Sequence, residues 1–208
     1  MMYRFFFKRV LDVIFSMFFL ILLSPLFVLV ILVLVIESGF TGVFFIQERP
    51  GKNELNFYIL KFKSMNNKKD KDGILLPDAQ RLTVFGRILR KTSIDELPQL
   101  INILFGKMSF IGPRPLLSRY LSSYSEYEKR RHDIRPGITG LAQISGRNEL
   151  DWNTKLKLDV MYLESMSFKN DLIIIIKTIK KVIKREGVVL DKVQNFLDVE
   201  RKVNNKNI

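Results

Sequence analysis

The chain has 208 residues, enough for one ordinary domain and too few for two large ones. It has no Cys and a single His, which excludes disulfides, thiolate metal sites and zinc sites built from several imidazoles. A formal charge of +13, from 34 Lys and Arg against 21 Asp and Glu, favours anionic partners: phosphorylated small molecules, anionic lipid or nucleic acid.

The Phe residues crowd the first 62 positions, where residues 13–36 form a run without Lys, Arg, Asp, Glu or His. As a helix this run would extend roughly 36 Å, enough for the approximately 30 Å hydrocarbon layer of a bilayer. Ser24-Pro25 falls at its middle, and a proline there removes a hydrogen bond and bends the helix. Basic residues stand on both sides, Arg4, Lys8 and Arg9 before the run and Arg49, Lys52 and Lys61 after it. Positive flanks prefer the cytoplasmic side, which favours a re-entrant hairpin over a kinked single span. Asp12, near the first apolar turn, is expected at the interface or paired with Arg9.

Val43-Phe44-Phe45-Ile46 and Phe57-Tyr58-Ile59-Leu60 read as strands of a hairpin around Arg49-Pro50-Gly51-Lys52-Asn53. Residues 66–72 are polar and read as a loop. Residues 80–90 read as a helix with Leu82, Phe85, Ile88 and Leu89 on one side, interrupted by Gly86. Asp95 and Glu96 then lie near a helix start. Either Ser93 caps it with Glu96 three residues on, or Asp95 caps it and Pro98 falls in the unpaired first turn. Leu97, Leu100, Ile101 and Leu104 would form its buried stripe.

Gly112-Pro113-Arg114-Pro115, Pro136-Gly137-Ile138-Thr139-Gly140 and Ser145-Gly146-Arg147-Asn148 read as rigid turns. Gly137, Gly140 and Gly146 serve either a close backbone approach to a nucleotide or turn geometry alone. Residues 126–132 and 155–162 suggest short helices. In residues 172–185 the positions Leu172, Ile175, Ile176, Ile179, Val182 and Ile183 follow a helical period, and Lys177, Lys180, Lys181, Lys184 and Arg185 take the other side. Such a helix suits the headgroup plane, and an ordinary core helix with a solvated basic face is the alternative.

A carboxylate can attack phosphorus and split a two-substrate transfer into two displacements. The approach of an anion to a diphosphate needs charge compensation, which a hard cation such as Mg²⁺ or arginine forks supply. Asp95 and Glu96 fit that chemistry, with helix capping as their structural reading, and Arg87, Arg90, Lys91, Arg114, Arg135 and Arg147 are the candidate cations. No phosphate-binding fingerprint of a mononucleotide or dinucleotide fold is present.

Several motifs in fixed order resemble the bacterial sugar transferase family of monotopic polyprenyl phosphate phosphoglycosyl transferases, in its minimal form. They are Lys8-Arg9 with Asp12, Ser24-Pro25, Phe45-Ile46-Gln47-Glu48-Arg49-Pro50-Gly51, and Tyr58-Ile59-Leu60-Lys61-Phe62-Lys63-Ser64-Met65. Further along stand Leu82-Thr83-Val84-Phe85-Gly86-Arg87, Thr92-Ser93-Ile94-Asp95-Glu96-Leu97-Pro98-Gln99-Leu100 and Met108-Ser109-Phe110-Ile111-Gly112-Pro113-Arg114-Pro115. The last are Arg131-His132-Asp133-Ile134-Arg135-Pro136-Gly137-Ile138-Thr139-Gly140 and Gln143-Ile144-Ser145-Gly146-Arg147-Asn148, followed by Asp159.

The resemblance implies a membrane-associated α+β fold: a re-entrant N-terminal helix broken at Ser24 and Pro25, a small cytosolic catalytic core and amphipathic interfacial helices. Its implied parts are a membrane hairpin over residues 1–38, a catalytic domain over 39–187 and a polar tail over 188–208. Asp95 is the implied nucleophile, taking a sugar phosphate from a UDP-sugar and releasing UMP, while Glu96 helps to hold Mg²⁺. Undecaprenyl phosphate is the implied acceptor, and Lys61, Arg87, Arg114, Arg135 and Arg147 are the phosphate-binding candidates. The favoured donor carries an N-acetylated hexosamine. The implied location is the bacterial inner membrane, with the core on its cytoplasmic face. The partners expected are an anionic bilayer and no nucleic acid, with room for a homodimer and downstream glycosyltransferases. Two positions depart from the common pattern: Leu141 replaces a frequent Trp, and Lys63 replaces a commoner Arg. A noncatalytic basic membrane scaffold and a nucleic-acid-binding protein are the alternatives.

Overall fold

A computed structural model describes residues 2–38, 42–146, 150–184 and 196–206. They are mostly helical, with two small two-stranded sheets. After a π-helical turn at Tyr3–Phe7, α1 (Lys8–Leu22) and α2 (Ser24–Ser38) form a pair bent by 60°. No single helix among the described residues is long and apolar enough to cross a membrane. The break has a local cause. Pro25 has no N–H for the carbonyl of Ile21 four residues back, and the Ser24 hydroxyl donates to that carbonyl instead, at 2.8 Å.

One side of α1 is polar and buried: Lys8, Asp12 and Ser16 recur at a spacing of four. Lys8 pairs with Asp171 at 2.6 Å, and Tyr3 donates to the same Asp171 oxygen. Asp12 differs from the expectation of an interfacial residue or an Arg9 partner. It is buried and accepts from the Ser109 hydroxyl and the Phe110 N–H, both at 3.1 Å. Arg9 instead donates to the carbonyls of Ile103 and Leu104 at a helix C-terminus, where a cation is favoured. The opposite side is apolar and exposed, with Phe15, Phe18 and Ile21 on α1 and Leu29 and Leu32 on α2.

The expected hairpin is present and longer than expected. β1 (Phe44–Pro50) pairs antiparallel with β2 (Asn56–Phe62), with Gln47 opposite Ile59. The turn sits further along, in a 3₁₀ segment at Lys52–Glu54 where Asn53 and Glu54 adopt positive φ. Alternation along β2 sends Phe57 and Ile59 into one cluster with Leu100, Ile103 and Met108. Phe62, on the other face, joins Val30 and Leu34 of α2 and Leu89.

The single helix expected over residues 80–90 is two: α3 (Asp78–Arg81) and α4 (Val84–Thr92). Thr83 divides them because its side chain accepts the Gly86 N–H at 2.9 Å and starts a new helix. Gly86 is required by packing, since a Cβ there would lie 1.9 Å from the Ser64 carbonyl oxygen. Neither expected cap at the acidic pair occurs. Ser93 ends α4 in the left-handed region at φ 58°, a 3₁₀ turn (Ile94–Glu96) follows, and Pro98 immediately precedes α5 (Gln99–Leu104). The buried positions of α5 are Gln99, Leu100 and Ile103, a shift from the expected stripe.

β3 (Ser109–Ile111) runs into the Gly112 turn, and the chain passes through a 3₁₀ helix at Ser118–Ser123, α6 (Glu126–Lys129) and a 3₁₀ turn at Arg130–Asp133. β4 (Gly137–Thr139) then pairs parallel with β3, so closely that a Cβ on Gly137 would lie 2.1 Å from the Gly112 nitrogen. At Gly137 the glycine therefore serves strand approach. α7 (Leu141–Ser145), α8 (Trp152–Ser165) and α9 (Phe168–Lys184) follow. On α9, Asp171 and Ile174 are buried while Leu172, Ile175, Ile176, Ile179, Val182 and Ile183 stay exposed, so its apolar face is left uncovered by the described residues. Arg185 lies outside the described residues.

The expected loose tail contains α10 (Leu197–Lys206). Leu197 is fully buried in a cluster with Tyr120, Tyr124, Trp152 and Leu156, and Arg201 pairs with Glu128 at 2.6 Å.

Candidate active site

The acidic pair owes its position to the two short helices around it. Ser93 in the left-handed conformation turns the chain out of α4, and the 3₁₀ turn presents Asp95 and Glu96 before α5 begins. The α5 helix is fastened to the hairpin by Asn102, which accepts the Leu60 N–H at 3.0 Å and donates to the Tyr58 carbonyl at 2.8 Å. The same alternation that buries Phe57 and Ile59 directs Lys61 to their face, toward the acids.

Lys61 reaches Glu96 Oε1 at 2.7 Å, and Arg114 reaches the same oxygen at 3.0 Å. Burial opposes the charge of Glu96, but Arg114 and Lys61 overrule it and hold the carboxyl down to about 2. Asp95 behaves oppositely. Burial and then the neighbouring Glu96 charge push it up to about 6, against the pull of Lys61, Arg90 and Arg114. The pair thus consists of a permanent anion tied into an ion-pair network and a second carboxylate that makes no hydrogen bond among the described residues.

Both acids line a cavity of about 890 Å³, within the range of small-molecule sites. Eight Lys or Arg side chains line it against four acids, so its field favours a polyanion. One wall is the inward face of the hairpin, carrying Gln47, Arg49 and Lys61. Arg49 is pushed down to about 10 by burial and by Arg114, and its buried Nε has no partner among the described residues. Arg90 is steadied by donating to the Ser64 hydroxyl at 2.9 Å. Arg131 and Asp159 form a buried pair at 2.8 Å, and Arg131 also donates to the Arg114 carbonyl at 2.6 Å, which fixes the loop carrying Arg114.

Of the residues expected from the sequence, Asp95, Glu96, Lys61 and Arg114 are brought together. Arg87 is exposed on α4 and lines no described cavity wall; Arg90, three residues on, takes that place. Arg135 lines neither described cavity, and its Nε donates to the Gly106 carbonyl at 2.7 Å beyond the end of α5. Arg147 lies outside the described residues. Arg49, Gln143, Trp152 and Lys155 line the cavity and were missed as site residues, although Arg49 and Gln143 sit inside quoted motifs. The alternation along β1 was the available signal for Arg49; the other three depend on tertiary folding. His132 is buried outside the cavity with Nδ1 3.1 Å from the Gly51 carbonyl oxygen. Burial and Arg131 lower its pKa to about 4, so it is neutral near pH 7.

No group of three or more His, Cys, Asp or Glu side chains gathers among the described residues. A Mg²⁺ ion does not need one, since one or two carboxylates with water and substrate phosphates suffice. Glu96 fits that role: it remains ionised, and both cations contact Oε1 alone, so neither occupies Oε2.

A model of the bacterial sugar transferase family matches residues 3–185. The uncharacterized sugar transferase EpsL of Bacillus subtilis is 47% identical over 87% of this chain and 89% of its own length. The undecaprenyl-phosphate galactose phosphotransferase of Salmonella typhimurium is 36% identical over 88% of this chain. The UDP-glucose:undecaprenyl-phosphate glucose-1-phosphate transferase of Klebsiella pneumoniae is 39% identical over 84%. This chain spans 41% and 40% of those two longer proteins. The chain belongs to the bacterial sugar transferase family.

Proposed function

We propose that this protein transfers a sugar 1-phosphate from a UDP-sugar to undecaprenyl phosphate through a covalent intermediate on Asp95. The observation that carries this reading is the unequal acidic pair in a cationic cavity: Glu96 clamped by Lys61 and Arg114, and Asp95 without a hydrogen bond among the described residues. In the first step an Asp95 oxygen bonds to the sugar-bearing phosphorus, the P–O bond of the diphosphate bridge breaks, and UMP leaves. In the second, a phosphate oxygen of the acceptor bonds to that phosphorus and the Asp95–phosphorus bond breaks, which returns the carboxylate. No general base is needed for either displacement, because both nucleophiles are already anions. Arg114 and Lys61 orient Glu96, while Arg49 and Arg90 offer donors to the diphosphate. Glu96 together with substrate phosphate oxygens would hold Mg²⁺, which when bound offsets phosphate charge.

We further propose that α1 and α2 enter the bilayer and return to the same face, with α9 in the headgroup plane and the core on the cytoplasmic side. The exposed apolar faces of these helices support this, as does the serine that satisfies the carbonyl freed by Pro25. An N-acetylated hexosamine is the donor favoured by the sequence resemblance, and two relatives have galactose and glucose in their names. The test is UMP release by purified protein with undecaprenyl phosphate across a panel of these UDP-sugars. One donor should support turnover, and Asp95→Asn should lower it by about a thousandfold or more, the scale of losing a nucleophile. Turnover by Asp95→Asn at the parent rate would reject the role of Asp95.

A further inference from the structure

A second cavity of about 340 Å³ adjoins the first, and four residues, Ser93, Glu96, Arg114 and Gln143, line both. Its walls differ in kind from those of the donor cavity. Phe19 comes from α1, Leu23 from just beyond its end, and Val182 from the exposed face of α9, so the space opens between two helices that each keep apolar side chains exposed among the described residues. Lys91 and Lys181 also line it, and neither forms an ion pair among the described residues. Gln143 stands between the two spaces with both side-chain amide atoms buried and unpartnered among the described residues. A buried amide without partners costs free energy unless something arrives to pair with it.

Resting on the phosphosugar-transfer reading above, we infer that this smaller cavity receives the phosphate end of the polyprenyl phosphate acceptor. The phosphate sits near Lys181, Arg114 and the Gln143 amide, and the first isoprene units lie against Phe19, Leu23 and Val182. The remaining tail stays in the bilayer, because the cavity is far too small for it. Charge complementarity selects a phosphorylated lipid, and Glu96 and Arg114, two of the four residues shared by the cavities, place its oxygen beside the Asp95 adduct. Attack then forms the new P–O bond and breaks the one to Asp95, without proton transfer. Donor and acceptor enter from different sides of one acidic pair, one from water and one from lipid.

The experiment separates the half-reactions in nanodiscs of zwitterionic lipid. Lys181→Glu reverses the charge at the cavity and Val182→Trp fills its apolar wall; Lys177→Glu, exposed on the same helix, controls for charge reversal near the bilayer. Adduct formation from UDP-sugar without acceptor should stay within about twofold of the parent in all three. The KM for undecaprenyl phosphate should rise about tenfold or more in Lys181→Glu and Val182→Trp, and stay unchanged in Lys177→Glu. Three results overturn the inference while leaving the covalent reading intact: an unchanged acceptor KM in both cavity variants, equal loss of both half-reactions in both, or equal damage from Lys177→Glu. Competition by phosphatidylglycerol in the parent but not in Lys181→Glu would assign the cavity to ordinary phospholipid and also overturn it. A parent protein that forms no adduct with any donor would reject the underlying reaction instead.

Discussion

Asp95 and Glu96 are chain neighbours with opposite electrostatic fates, and the difference comes from which cations touch them. Lys61 and Arg114 both bond to Glu96 and hold its carboxyl down to about 2, whereas burial and the Glu96 charge outweigh the fields of Lys61, Arg90 and Arg114 at Asp95. The pH dependence of adduct formation should therefore have one acidic limb. On the proposed mechanism Asp95 attacks as the anion, and its pKa is raised, so the rate should fall as pH drops through about 6, roughly tenfold per unit below the inflection. A bound divalent cation favours the anion and moves the limb lower. A rate that rises on acidification from pH 7 to 5 would contradict the assignment. The sequence made the acidic pair and two of its cations legible because motif order carried them. It did not separate Arg87 from Arg90, since both are helix residues three apart, and only the approach of the Ser64 segment shows which one is held inward. Nor did it show that Arg135 donates to the Gly106 carbonyl, 29 residues away.

The elements that carry the site are short, and their breaks matter as much as their lengths. Thr83 splits an apparent helix, Ser93 reverses the next, and Pro25 with Ser24 bends the longest apolar run. Periodicity finds apolar stripes, and so the amphipathic α9 and the β1–β2 hairpin were anticipated. It does not find a left-handed serine or a 3₁₀ turn, which depend on a few backbone angles, and the cap at the acids was accordingly misjudged. Nor does composition reveal that α10 docks, because that depends on particular contacts, Leu197 in an apolar cluster and Arg201 against Glu128. The buried Arg131–Asp159 pair joins α8 to the loop of Arg114. Asp159→Asn should leave a buried guanidinium poorly compensated and cost about 3–5 kcal/mol in denaturant unfolding. A change below about 1 kcal/mol would show that the pair does not hold the loop.

Across the whole molecule, apolar and cationic surfaces divide the labour. The α1–α2 pair and the outer face of α9 expose many large apolar side chains, while the cation-rich cavity holds the acids and the smaller cavity beside it reaches those helices. Tyr3 and Lys8 bond to Asp171 at the start of α9, so the two apolar elements are joined by a buried polar link. If the bent pair returns to its face of entry, Met2→Cys and Lys52→Cys, both exposed positions in a cysteine-free chain, should react with an impermeant maleimide from the same side of membrane vesicles. Labelling from opposite sides would establish a single crossing. The most direct test of the covalent account is intact-protein and peptide mass spectrometry after mixing purified protein with its UDP-sugar in the absence of acceptor. The account predicts a mass gain of one sugar phosphate on the peptide containing Asp95, with an equal amount of UMP, erased by undecaprenyl phosphate. UMP release that requires both substrates, with no modified peptide at any time, would contradict it.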